Sequence, residues 1–420
     1  MEGEKGLLDH TEPRDTYNIS YIIHFFLGAG NLIPWNALIT AVDYFGYLYP
    51  SKHVDKVFSV VYMASSLPVL VLMMSWGSWI KRPSFRLRMN LGFSMFVLSL
   101  MLVPVMDKAC CNHGPQKRPH GAYGATVATV AVCGLADGLI GGSLIGSSGE
   151  LPKRYMQAVF AGTASSGVLV SILRIITKAS LPKTPQGLRA STHLYFVVST
   201  LIVLGCIVCS NILERLPVVQ THRHKRKVAP GSEAPDFPDN LQGTTRRLCS
   251  VNESSEQPKF WDVAKQIRWL AFGILMIYIV TLSIFPGYIS ENVQSKLLQD
   301  WYPILLITMY NISDLVGKSL TAVYVPKSTG KSTWACIARI LFYPLFAACL
   351  HGPKWLRTEV PVIFLTGMLG LTNGYLTSVL MMLAPKTVPV AQAETAGVVM
   401  ALFLEIGLVG GSVLGWFWII

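Results

Sequence analysis

Eleven apolar runs, each of about 20 residues, divide this chain: about 18–44, 56–80, 89–106, 122–147, 157–178, 191–214, 264–287, 301–325, 332–351, 359–384 and 392–419. A helix of roughly 20 apolar residues spans the hydrocarbon core of a bilayer. Inside lipid every backbone polar group must be satisfied within the protein, which leaves helices and closed barrels. Continuous runs of this length suit helices. The expectation is an all-α polytopic membrane protein with 11 transmembrane helices. Charge agrees: only 14% of the residues are Asp, Glu, Lys or Arg, against about 25% in soluble domains. A single anchor does not account for such a deficit. The formal net charge of +12 therefore points to cytoplasmic loops rather than to nucleic acid.

Residues 216–260 interrupt the pattern with His222-Arg223-His224-Lys225-Arg226-Lys227 and then a Pro/Gly/Ser-rich stretch. Such a composition buries no core. The predicted division is a cytoplasmic segment 1–17, a six-helix bundle 18–215, a disordered cytoplasmic linker 216–260 and a five-helix bundle 261–420. Lys and Arg set the orientation. With the N-terminus cytoplasmic, the inner side holds Lys81, Arg82, Arg86, Arg88, Lys153, Arg154 and the basic linker. The outer side holds fewer, such as Lys52, Lys56, Lys108, Lys117 and Arg118. An odd number of spans leaves the C-terminus outside, where Trp416 and Trp418 suit the membrane interface. Met1–Tyr17 is polar and the first run is too long for a signal peptide, so no cleaved leader is expected. The plasma membrane is the expected site; Glu4-Lys5-Gly6-Leu7-Leu8 approximates an acidic dileucine sorting signal and makes a vacuolar or endosomal membrane the alternative.

The first run contains Gly28-Ala29-Gly30-Asn31-Leu32-Ile33-Pro34-Trp35-Asn36. A lipid-facing helix avoids such residues, whereas Gly/Pro-interrupted spans line the binding sites of transporters. A kinked span without a ligand is the competing reading, because Gly and Pro are frequent in membrane helices. Ionisable residues inside spans are functional candidates, since burying a charge is costly. They are His24, Asp137, Arg174, Asp314, Lys318 and Glu405. Asp314 and Lys318 are spaced i, i+4 and share one helix face with Asn311. Together they offer an acceptor, a charged donor and an amide, a set that suits the hydroxyls of a sugar. A self-contained ion pair holding two helices is the alternative. Asp137 and Glu405 have no partner in sequence; they pair with Arg174 or Lys318, or carry protons. His24 is a third proton-coupling candidate, or bonds a backbone carbonyl. Small residues such as Gly138, Gly141, Gly142, Gly162 and Gly167 allow helices to approach closely.

Catalytic and cofactor motifs are missing. Gly330-Lys331-Ser332 resembles the end of a phosphate loop, but Val325 stands where that loop needs its first glycine. There is no HExxH or GxSxG, and Cys206-x-x-Cys209 lies in an apolar span without a βαβ context. The expectation is no enzyme, no metal and no cofactor.

These residues resemble the equilibrative nucleoside transporter family of solute carriers, over the full length and with overall similarity to plant members. The motifs are GAGNLIPWNALITAVDYF in the first span, GLADGLIGGSLIGSSGELPKRYMQAVFAGTASSG from the fourth into the fifth, NISDLVGKSLTA in the eighth, and TNGYLTSVLMMLAPK and AQAETAGVVMALFLEIGLVGG at the end. The resemblance implies a major-facilitator-like 6+5 arrangement, a central cavity and alternating access. It implies that Trp35 faces the nucleobase, with Leu32 and Ile39 nearby, and that Ser66, Val69 and Phe285 add wall; Asn36, beside Trp35, is a further substrate-binding candidate or braces the kink. Asp314 and Lys318 then meet the ribose, in agreement with the face that they share with Asn311. Lys318 replaces an Arg common in the family, and the two are not interchangeable donors. Gly141 stands where many members carry a base-contacting Gln. Asp137 and Glu405 suggest proton symport. Nucleosides such as adenosine and uridine, protons and the bilayer are the expected partners, with no nucleic acid. The alternative is an organic cation or monoamine carrier of the same fold; Thr163 after Gly162, where the cation-preferring branch carries an acid, favours nucleosides.

Overall fold

The computed structural model describes residues 15–50, 52–75, 84–110, 120–182, 184–221, 260–285, 295, 297–326, 328–353 and 356–416. Their regular elements are helices: α1 (Ile19–Thr40), α2 (Val42–Leu48), α3 (Val54–Ser75), α4 (Phe85–Cys110), α5 (His120–Gly149), α6 (Lys153–Ser180) and α7 (Pro185–Leu213). After the basic segment come α8 (Phe260–Gln266), α9 (Arg268–Ile284), α10 (Tyr302–Leu320), α11 (Thr329–Ala338), α12 (Phe342–His351), α13 (Glu359–Leu383) and α14 (Ala393–Leu414). Each expected apolar run falls on one helix or on a broken pair. Most of the expected linker, residues 222–259, lies outside the described residues, as do Lys81, Arg82, the dileucine-like stretch and Trp418.

Among the described residues, nine helical segments are long and apolar enough to cross a membrane. This is two fewer than the eleven expected, for separate reasons. Helix α9 is apolar but only 17 residues long. Helix α10 carries Asn311, Asp314 and Lys318, which lower its hydropathy. Lipid contact is written on the outer helices. Leu87, Leu91, Leu98, Leu102 and Val105 form an exposed stripe on α4, and Leu194, Val197, Leu201, Leu204 and Val208 form one on α7. The same helices bury Phe93, Phe96 and Leu100, or Phe196, Val203 and Cys206. A helix apolar on both faces fits a protein core on one side and hydrocarbon on the other.

Helix ends are satisfied locally. Asp15 accepts from the Ser20 and Tyr21 amides at the start of α1 (3.0 and 3.2 Å). The Thr184 hydroxyl accepts from the Gly187 amide, with Pro185 at the first position of α7. Arg174 donates to the Thr40 carbonyl at the exposed end of α1, where cations favour the helix dipole. Helix α1 runs unbroken through Pro34.

Packing repeats itself. In the first half α1 lies on α6 and α3 on α5; in the second half α9 lies on α14 and α10 on α13. Between halves, α3 meets α14 and α6 meets α10. Exchanging α1 with α9, α3 with α10, α5 with α13 and α6 with α14 maps each contact onto another. The main contacts of one half thus recur in the other, and these eight helices form the inner set.

Glycine sets the closeness of the α1–α6 pair. A Cβ on Gly162 would collide with the Phe25 carbonyl, and one on Gly28 with the Val159 carbonyl. Both obstacles are backbone and cannot swing aside. Gly162→Val is therefore expected to leave no monodisperse protein on size-exclusion chromatography. Gly46→Ala, whose new Cβ meets nothing within 4 Å, is expected to behave as wild type.

Candidate functional site

A chamber of about 170 Å³ is lined by the eight inner helices. Its first wall is aromatic. Trp35 on α1 packs against Tyr62 on α3 (centroids 4.8 Å apart, planes at 47°). Leu32 and Ile39, one turn to either side, face the same space. Across the chamber, Phe285 at the end of α9 stacks on Tyr310 of α10 at 4.0 Å and 16°. Two aromatic pairs facing one space suit a flat ring.

The second wall is polar and centres on α10. Lys318 Nζ lies 2.8 Å from Asp314 Oδ2 within the helix, and both side chains are buried. Asn373 of α13 donates to Asp314 Oδ1 (2.7 Å). Lys318 also donates to the Thr163 hydroxyl on α6 (3.3 Å), across the boundary between halves. Asn311 does likewise, donating to Ser171 Oγ (2.8 Å) and the Gly167 carbonyl (3.2 Å). A carboxylate has about four acceptor sites, so two contacts leave Asp314 able to receive ligand hydroxyls. The spacing that suggested the ion pair is realised; its outer partners, 59 and 155 residues away, have no local signal.

Behind Asp314 stands Arg339, in the turn between α11 and α12 and 3% exposed. Its guanidinium donates to the Thr281 and Thr372 hydroxyls (2.7 and 2.8 Å). Thr281 in turn bonds Asn373 Oδ1 at 2.9 Å. The chain Arg339–Thr281–Asn373–Asp314–Lys318–Thr163 thus links five helical segments. Sequence reading passed over Arg339, although an arginine inside the run 332–351 was a sufficient flag. Lysine cannot reproduce its fork. Arg339→Lys is expected to cost about 1.5–3 kcal/mol, the worth of a charged hydrogen bond, read as a lowered melting temperature in detergent.

A second polar group lies on α5 and α14. Asp137 sits beside Asn31, Tyr62 and Glu405. Ser66 donates to Glu405 Oε2 at 2.7 Å. Neither carboxyl pairs with the partners sequence offered: Lys318 is held by Asp314, and Arg174 donates to Thr40.

The structure brings Leu32, Trp35, Asn36, Ile39, Gly141, Phe285, Asn311, Asp314, Lys318, Asp137 and Glu405 to this one chamber. Asn36 also donates to Ser166 Oγ (2.8 Å), tying α1 to α6. Ser66 does not line the chamber but stands behind Glu405. Val69 is absent from the lining, although its neighbour Leu70 is part of it. His24 is also absent: its ring contacts the Ser20 carbonyl (2.7 Å) and Tyr155 near the start of α1. Asn31, Tyr62, Thr163, Tyr310 and Asn373 join the lining without having been expected.

A vestibule of about 550 Å³ adjoins the chamber and shares Asn36, Ile39, Gly167, Phe285 and Asn311 with it. It extends past Arg174, Lys178 and Tyr195, towards the C-terminal ends of α1 and α6. At the opposite end the halves touch. A Cβ at Gly146 would meet Val398 and Glu394, and one at Gly149 would meet Ala393 and Pro385. There Lys386 donates to the Leu151 carbonyl (2.9 Å).

Comparison with known proteins agrees with this architecture. A family model described as nucleoside transporter matches residues 127–420. Equilibrative nucleotide transporter 8 of Arabidopsis thaliana is 57% identical over 420 residues, covering all of both chains. Equilibrative nucleotide transporter 1 of the same plant is 50% identical, covering 97% of this chain and 88% of its own. Among solved structures, the major facilitator proton:xylose symporter XylE superposes with a TM-score of 0.60 at 11% identity, over 96% of this chain and 89% of that one. A bacterial homologue of ferroportin gives 0.57 at 13% identity, over 94% and 92%. The structural matches establish a major-facilitator-like fold, and the sequence matches place the chain among plant relatives. The chain belongs to the nucleoside transporter family: it is an integral membrane transporter, not an enzyme.

Proposed function

We propose that this chain carries nucleosides through the central chamber by alternating access, coupled to protons. The observation that carries the reading is the pairing of walls in one chamber: aromatic faces of Trp35, Phe285 and Tyr310 for a base, and Asn311, Asp314 and Lys318 for a ribose. The names of the relatives point the same way. At about 170 Å³ the chamber is smaller than ligand pockets of about 300–1,000 Å³. A nucleoside therefore occupies the chamber together with the floor of the vestibule, or enters as the halves rock apart. Eleven spans with the N-terminus cytoplasmic turn the vestibule outward and put the contact at Lys386 on the cytoplasmic side. Arg86, Arg88, Lys153 and Arg154 then lie inside, as the positive-inside rule requires. Asp137 and Glu405, on helices α5 and α14 of opposite halves, are the proton carriers, because rocking changes what faces them.

The test is uptake of labelled adenosine into proteoliposomes with and without an acid-outside gradient. Uptake no faster than in empty liposomes sinks the carrier reading; equal initial rates sink only the coupling. The chamber carboxyls of Asp137 and Glu405, beside that of Asp314, also favour a second reading, an organic cation carrier. Competition by a quaternary ammonium ion against adenosine would support it, whereas the Lys318 ammonium on the same chamber argues against it.

A further inference from the structure

We infer that Asn31 reads the edge of the nucleobase, and that its side-chain oxygen selects bases carrying an exocyclic amine. This rests on the chamber being a nucleoside site. Asn31 lies four residues before Trp35 on α1, so the two share a face, and both line the chamber. Four residues advance a helix by about 6 Å, a step comparable to the distance from the face of a stacked ring to its edge. Trp35 then covers the ring and Asn31 meets its rim.

Two observations make Asn31 more than lining. Its Oδ1 is buried and has no hydrogen-bond partner. Buried polar atoms in native proteins are nearly always paired, so an orphan at a chamber wall marks where a donor belongs. Gly141 on α5 stands in front of it: a Cβ there would lie 3.6 Å from Asn31 Nδ2 and 3.9 Å from Oδ1. Glycine places no side chain against the amide, and any longer side chain at 141 would fill that space.

Oδ1 is the atom of the amide that is left without a partner, and so the one that a ligand donor would meet. An acceptor so placed favours a 6-aminopurine or 4-aminopyrimidine. An oxo group at the same position would set two acceptors against each other.

The experiment compares adenosine with purine riboside, which has hydrogen in place of the amine, in proteoliposomes holding wild type, Asn31→Leu or Asn31→Ser. Wild type is expected to favour adenosine about ten-fold in competition, the worth of one neutral hydrogen bond. Asn31→Leu is expected to bring the ratio near one while purine riboside uptake persists. If Asn31→Leu does not fold, the smaller Asn31→Ser, too short to reach the amine, is expected to show the same collapse. Equal preference in wild type, or an unchanged ratio in a folded variant, overturns the assignment of Asn31. Uptake of neither compound by wild type overturns the nucleoside reading itself, and the assignment with it.

Discussion

Asp314→Ala is expected to lower nucleoside uptake to below about one-hundredth of wild type and to destabilise the protein by about 3–5 kcal/mol, the cost of breaking a buried ion pair from one side. The reason is in the geometry. Lys318 would keep only the Thr163 hydroxyl at 3.3 Å as a partner, and Asn373 would lose its acceptor. A charge buried in this way is worse than no charge at all. The double variant Asp314→Leu/Lys318→Met separates the two losses. Removing both charges at similar volume is expected to restore most of the stability, measured as melting temperature in detergent. Uptake is expected to stay lost, because the acceptor for the ribose hydroxyls is gone. Recovery of uptake in the double variant would make the pair a structural clamp rather than part of the site.

That pair was the most legible part of the site. An i, i+4 spacing is a local fact, and the helix that carries it is recognisable from the residues around it. The helices were legible for the same reason. Lys153–Ser180 was expected as about 157–178, and Tyr302–Leu320 as 301–325; the errors are at the ends, where polar residues extend the first helix beyond its apolar run and the second stops at Leu320 although Val323, Tyr324 and Val325 continue the run. The first run was read as one span, yet it divides at Ala41 into α1 and α2. What sequence could not show is which side chains meet across hundreds of residues. Ser66 and Glu405, 339 residues apart, are joined only when α3 and α14 pack between the halves. Arg174 and Lys318 looked like partners for Asp137 or Glu405 because opposite charges are scarce in lipid, but Thr40 and Asp314 are nearer to them. Val69 is not among the lining residues, although Leu70 beside it and Tyr62 two turns earlier on α3 both are.

Trp35→Ala is the second large effect, and it tests the other end of the ligand. Base–aromatic stacking is worth about 1–3 kcal/mol by alanine substitution, so uptake at limiting nucleoside is expected to fall roughly 5- to 150-fold. The fold is expected to survive. Trp35 packs into the core on one side, at 7% exposed, and lines the chamber on the other, so truncation enlarges an existing space, and Asn36 keeps α1 on α6 through its bond to Ser166. Trp35→Phe retains an aromatic face and is expected to lose far less. Loss through stacking has a further signature: it falls more heavily on purine than on pyrimidine nucleosides, because the larger ring covers more of the indole. A uniform loss across bases, with folded protein reduced in proportion, would instead assign Trp35 to the support of Tyr62, 4.8 Å away. Unchanged uptake with a normal amount of folded protein would remove Trp35 from the site, and the aromatic wall would then rest on Phe285 and Tyr310 alone.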